Sequence, residues 1–146
     1  MTPPIEKTVI INADSAAVWS ALTEPGLMTQ WMGDPEMELE IKTNWKVNCP
    51  IIIRGFNHVQ FEVNGTVLQY EPNKKLGYSH LSSISGLEDR VDNYSVLEFN
   101  LTPLENQTQL SLAITNFATE TIFKHLAFYW QTTIYRIKNL IEIDSK

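Results

Sequence analysis

Hydrophobic positions along the chain follow two periods. Ile5 to Ile11 is rich in β-branched residues and predicts a strand. Asn12 to Asp14 end it. Asp14 or Ser15 is placed to cap a helix through Thr23, with Ala17, Val18, Ala21 and Leu22 at helical spacing. Pro25 stops that helix and suits the first turn of a second, Leu27 to Met32, closed by Gly33-Asp34-Pro35. Period two then takes over. Met37, Leu39 and Ile41 alternate as a strand, and Trp45, Val47, Cys49 and Ile51 continue the alternation. Arg54 to His58 reads as a turn into Val59, Phe61 and Val63. Leu76, Tyr78 and His80 alternate again, and Ser82 to Arg90 is a polar loop. Leu97, Phe99 and Leu101, then Leu110, Leu112 and Ile114, form two more strands around a turn.

The last segment changes period. Phe123, Leu126, Ala127, Trp130, Ile134, Ile137 and Ile141 make one stripe of an amphipathic helix over Thr119 to Ile143, with no Pro or Gly inside it. Phe128, Tyr129 and Tyr135 lie off the stripe. The predicted order is strand, two short helices, about six strands, one long helix. That order implies an α+β fold in which a curved antiparallel sheet of six to seven strands grips the C-terminal helix. One local signal points two ways. Asn64-Gly65 between alternating apolar runs is a strong hairpin signal, yet the same residues fit one long strand with Gly65 at a bulge or a close backbone approach.

Composition narrows the class. The 146 residues are 43% apolar and 19% charged, which suits one globular domain, 1–146. The net charge is -6 with no run of Lys or Arg, so nucleic acid is not an expected partner. No charged leader precedes an apolar run, and no stretch approaches the length of a membrane span. Cys49 is the only cysteine, so no internal disulfide forms. These features point to the cytoplasm, where the sequons at Asn64, Asn93 and Asn106 carry no weight.

The stretch VWSALTEPGLMTQWMGD, Val18 to Asp34, resembles the opening of START-like (SRPBCC) proteins, and more narrowly the homologues of the activator of the heat-shock-protein-90 ATPase. The resemblance recurs in LQYEPNKKLGYSH (68–80), SVLEFNLTPLENQTQLSLAI (95–114) and WQTTIYRIKNLIE (130–142). It implies a helix-grip fold with a cavity between sheet and long helix, and it implies that Gly65 lies within a long strand. Two departures stand out. The family's glycine pair ahead of the third strand is replaced here by Thr43-Asn44, followed by Trp45. An aromatic residue common in the family is replaced by His80.

Chemistry-bearing residues are sparse. Tyr78 and His80 share a strand face, where they either hydrogen-bond the polar end of an apolar guest, take part in acid–base chemistry, or are satisfied by backbone and water. Trp31, Trp45 and Trp130 either line a cavity or pack as core. Alternation places Trp45, Phe61, Tyr78, His80, Leu97 and Phe99, the helix stripe places Trp130, and the Pro25-Gly26 break, which lets the second short helix turn back over the sheet's open side, places Trp31, all lining or adjoining that cavity. His58 and His125 are read as surface residues. No spacing of His, Cys or acidic residues fits a metal, and no nucleophile elbow or phosphate loop appears, so neither cofactor nor catalytic residue is assigned. Gly86 to Arg90 reads as a lid over the cavity mouth or as a solvated loop. Phe128, Tyr129 and Tyr135 suggest a homodimer or partner surface.

Three functions stay open. The first is a binding module for a small hydrophobic or amphipathic ligand, non-catalytic. The second is a cyclase-, aromatase- or hydrolase-like enzyme in the same cavity. The third is a chaperone-regulating interaction domain, as the family name suggests. The enzyme needs two convergent polar groups, and the activator needs a partner surface with an additional domain. The binding module is favoured.

Overall fold

The computed structural model describes residues 2–144. Seven strands form one antiparallel sheet: β1 (Ile5–Ile11), β2 (Glu40–Thr43), β3 (Pro50–Asn57), β4 (Val59–Glu71), β5 (Lys75–Ser82), β6 (Ser95–Leu104) and β7 (Gln107–Thr115). Their order across the sheet is β1-β7-β6-β5-β4-β3-β2. Two short helices, α1 (Ser15–Thr23) and α2 (Pro25–Met32), follow β1, and the long helix α3 (Glu120–Asp144) ends the chain. The expected α+β helix-grip architecture is therefore the one observed.

Alternation decides the faces. Leu97 and Phe99 of β6 pair with Ile114 and Leu112 of β7 and with Tyr78 and Leu76 of β5, so all six side chains share the inner face. Against that face α3 lays its stripe: Leu126, Trp130, Ile134, Ile137 and Ile141 are all buried. On the opposite side of the helix Phe128 and Tyr135 stay exposed.

Local chemistry explains the short helices. The Asp14 carboxylate accepts from the Ala17 N–H at 2.8 Å and caps α1. Pro25 occupies the first turn of α2, where its missing N–H costs nothing. The last turn of a helix leaves carbonyls without intrahelical donors. Here two tryptophans supply them: the Trp31 indole N–H donates to the Ala21 carbonyl at 2.8 Å, and the Trp45 indole to the Thr23 carbonyl at 2.7 Å. The C-terminal end of α2 is held in the same way by α3. The Tyr129 hydroxyl donates to the Met32 carbonyl at 2.7 Å, and the Arg136 guanidinium to the Gly33 carbonyl at 3.1 Å. The chain breaks at Pro25 so that α2 can fold back, with Trp31 buried beneath it and both helix ends tied to neighbouring elements.

Three expectations are corrected. Met37 lies in a single helical turn, Pro35–Met37, and Glu38 is left-handed, so the strand begins only at Glu40. Trp45, Val47 and Cys49 are not a strand but a loop, with Trp45 and Asn48 at positive φ. The loop pairs with β4 through hydrogen bonds between the Asn48 N–H and the Val67 carbonyl and between the Val67 N–H and the Cys49 carbonyl. Arg54 to His58 is not a turn: β3 runs through Asn57, and His58 alone, at φ 67°, reverses the chain. At Asn64-Gly65 the long-strand reading holds and the hairpin does not. A Cβ on Gly65 would lie 1.8 Å from the Ser79 carbonyl oxygen, so the glycine is there for space.

Candidate functional site

Between the sheet and α3 the fold leaves a cavity of about 230 Å³. Its sheet wall comes from Ile53 of β3, Phe61 and Val63 of β4, Tyr78 and His80 of β5, and Leu97 of β6. Leu126, Tyr129 and Trp130 of α3 form the opposite wall, and Trp31 and Met32 of α2 close one side with Met37 and Leu39. The lining also includes the exposed residues Asn57, Ile84 and His125, which mark the mouth.

Six of the eight expected residues line this space: Trp31, Phe61, Tyr78, His80, Leu97 and Trp130. Trp45 and Phe99 sit one layer behind and adjoin it through Tyr78, with ring centroids 6.3 and 6.2 Å from the tyrosine. Trp45 stacks on Tyr70 at 5.8 Å, and Phe99 meets Trp130 edge-on at 5.8 Å. Gly86 to Arg90, considered as a lid, contributes nothing to the lining. Ser82 and Ile84, just before it, take that place. His125 was read as a surface residue and is exposed, but it also stands at the mouth. Tyr129 lies among the off-stripe aromatics, yet its hydroxyl is spent on the Met32 carbonyl and it lines the cavity. The cue for both was only their place one step from the apolar stripe.

The polar groups differ in how they are satisfied. The Ser82 hydroxyl accepts from the Ile84 N–H at 3.3 Å. The Tyr78 hydroxyl has no hydrogen-bond partner among the described residues. Among the described residues no buried side-chain polar atom is left unsatisfied, so that hydroxyl must keep access to the cavity volume. His80 hydrogen-bonds only to its own backbone. Burial pushes the Tyr78 hydroxyl well above its ordinary ionisation range, and nearby Tyr129 adds to the effect. Burial likewise raises Tyr129, to about 12. For His80 burial acts first and His125 second, and together they lower the imidazole from 6.5 to about 4. Near neutral pH the cavity thus presents an un-ionised phenol and a neutral imidazole.

The lowered imidazole has a consequence for stability. When unfolded, His80 takes up a proton as pH falls through 6.5, whereas folded it resists until about 4. The unfolded chain then binds more protons, so the contribution is complete above 6.5 and lost as pH falls toward 4. His80 is only half-buried, and water in the cavity screens part of the effect, so the loss is roughly 1–3 kcal/mol. Denaturation midpoints of the wild type and His80→Gln across that range should converge on acidification, and parallel curves would contradict the assignment.

No group of His, Cys, Asp and Glu among the described residues is arranged to hold a metal ion. No helix among them is long and apolar enough to cross a membrane. A comparison with curated proteins gives no match. Solved structures are similar along almost the whole chain. Protein ChR145 from Cytophaga hutchinsonii shares 28% identity at a TM-score of 0.80, covering 99% of this chain and 97% of that one. The Aha1 dimer from Colwellia psychrerythraea shares 21% at 0.75, with coverages of 97% and 98%. Protein CV1439 from Chromobacterium violaceum shares 15% at 0.80, with coverages of 97% and 99%. The family described as Activator of Hsp90 ATPase homolog 1-like protein matches residues 12–142, from the turn before α1 to the last turns of α3. A sheet gripping a long helix over an apolar cavity, together with a family match across nearly the whole chain, shows that the protein belongs to this START-like family.

Proposed function

We propose that the protein binds a small hydrophobic or amphipathic molecule in the cavity between the sheet and α3, without transforming it. The observation that carries this reading is the pairing of an apolar lining with two polar groups, Tyr78 and His80, that have no partner on another residue. Binding sites combine apolar walls with a few orienting polar groups in this way. An enzyme in the same space is less well supported. A general base works best when its pKa lies near the working pH, and an imidazole at about 4 is a weak one. A fluorescent apolar probe titrated into the wild type is expected to saturate. In His80→Phe, which narrows the cavity and removes one anchor, affinity should fall about threefold or more. A wild type that shows no saturable binding would sink the proposal.

A homodimer is a second reading. Phe128 and Tyr135 are 78% and 54% exposed and lie one heptad apart on the outer side of α3. A dimer is also named for the Colwellia structure. Sedimentation equilibrium should show mass rising with concentration, and less so in Phe128→Ser. A monomer at every concentration removes this reading.

A further inference from the structure

We infer that the guest of this cavity is a compact, uncharged molecule carrying one oxygen acceptor, such as a ketone, ether or ester, held by the Tyr78 hydroxyl beside His80, and that carboxylates are turned away. The inference rests on the binding reading above and adds the chemical class to it.

Size comes first. A buried apolar cavity of about 150 Å³ accommodates benzene, so the roughly 230 Å³ here suits a guest of about nine or ten non-hydrogen atoms. Met32 and Met37 on one side can adjust to its outline.

Charge comes second. Among the described residues that line the cavity there is no Lys, Arg, Asp or Glu. The arginines on two of the lining elements, α3 and β3, are committed elsewhere: Arg136 to the Gly33 carbonyl and Asp34, and Arg54 to Glu62. A carboxylate taken from water into this space would meet no fixed positive charge, and an uncompensated buried charge is strongly disfavoured. Protonating His80 to receive it works against the burial that keeps the ring neutral.

Hydrogen bonding comes third. Among the described residues Tyr78 offers an O–H with no competing acceptor, whereas the neutral His80 ring is bonded to its own backbone and keeps one nitrogen beside it. Tyr129 and Ser82, the other hydroxyls of the lining, already make bonds within the protein. An oxygen acceptor on the guest therefore completes Tyr78, while a plain hydrocarbon leaves it unpaired.

The test uses three guests of nearly equal bulk: methyl heptyl ketone, octanoate and nonane. Each competes with the fluorescent probe on the whole protein near neutral pH. The ketone is expected to bind roughly fivefold or more tighter than nonane, the effect of one net hydrogen bond. Octanoate is expected to bind at least about tenfold more weakly than the ketone. Tyr78→Phe should erase the preference of ketone over nonane. The ratio is read within one variant, so a loss of folded protein does not mimic the result. Octanoate equal to or tighter than the ketone overturns the inference and leaves the cavity-binding reading standing. So does a ketone preference that survives in Tyr78→Phe. Displacement by none of the three, with the probe still bound, overturns the proposed class of guest. Failure of the probe itself overturns the binding reading as well.

Discussion

Gly65→Ala is expected to lose more than about 3 kcal/mol of stability. The added Cβ would sit 1.8 Å from the Ser79 carbonyl oxygen and 2.7 Å from the Ser79 carbonyl carbon, with Ile51 at 3.3 Å on the other side. Real contacts of this kind do not fall below 3.0 Å. The nearest atoms are backbone, so no rotamer change relieves the clash and β4 and β5 must separate. The Thr66 N–H bonds the Ser79 hydroxyl at 2.9 Å. Ser79 lies between Tyr78 and His80, so moving it also displaces the two polar groups of the cavity. Chemical denaturation should reveal the loss, with a parallel fall in probe affinity in whatever protein remains folded. An alanine tolerated within about 1 kcal/mol would mean that the close approach does not exist.

Trp130→Ala should cost about 3–5 kcal/mol, the range for removing a large buried aromatic. Its ring is 3% exposed and has aromatic neighbours on three sides: Trp31 at 5.8 Å, Phe99 at 5.8 Å and Tyr129 at 5.4 Å. The void joins the existing cavity instead of standing alone, so a saturating apolar guest should restore part of the lost stability by binding the folded state. Phe128→Ala on the same helix is the control. That ring is 78% exposed, and its removal should stay within about 0.5 kcal/mol. Equal losses at the two positions would contradict the placement of α3 on the sheet.

The elements that could be read from the chain are those whose burial pattern is local. The stripe from Phe123 to Ile141 recurs at the helical period because one side of α3 is covered along its length. Leu97, Phe99 and Leu101 alternate because β6 has neighbours on both edges and one buried face. The same alternation sufficed to bring Phe61, Tyr78, His80 and Leu97 to one wall, because strand geometry alone sends side chains two apart to one side.

The misread segments share another feature. Trp45 was counted into a strand because apolar residues alternate through it. Yet its backbone turns left-handed, at φ 57°, so that the indole reaches the Thr23 carbonyl, 22 residues earlier in the chain. Tyr129 lies one step off the helix stripe and looks free for a partner, but its hydroxyl bonds the Met32 carbonyl 97 residues away. Both contacts answer unsatisfied carbonyls at helix ends, and no window of sequence shows where such an end will lie relative to a distant side chain.

By itself the sequence determined the period of each element, the burial of the long helix, the break at Pro25, and the residue types available for a pocket. Only the tertiary structure decided that Gly65 is needed for space rather than for a turn, that Trp45 and Phe99 stand behind the wall, and that His125 joins the mouth. It also decided that Tyr78 and His80 face open volume with no other residue to bond. Periodicity is set by contacts within a few residues along the chain. The width of a gap between strands, the volume under a helix and the ionisation of a ring inside it depend on atoms that only folding brings together.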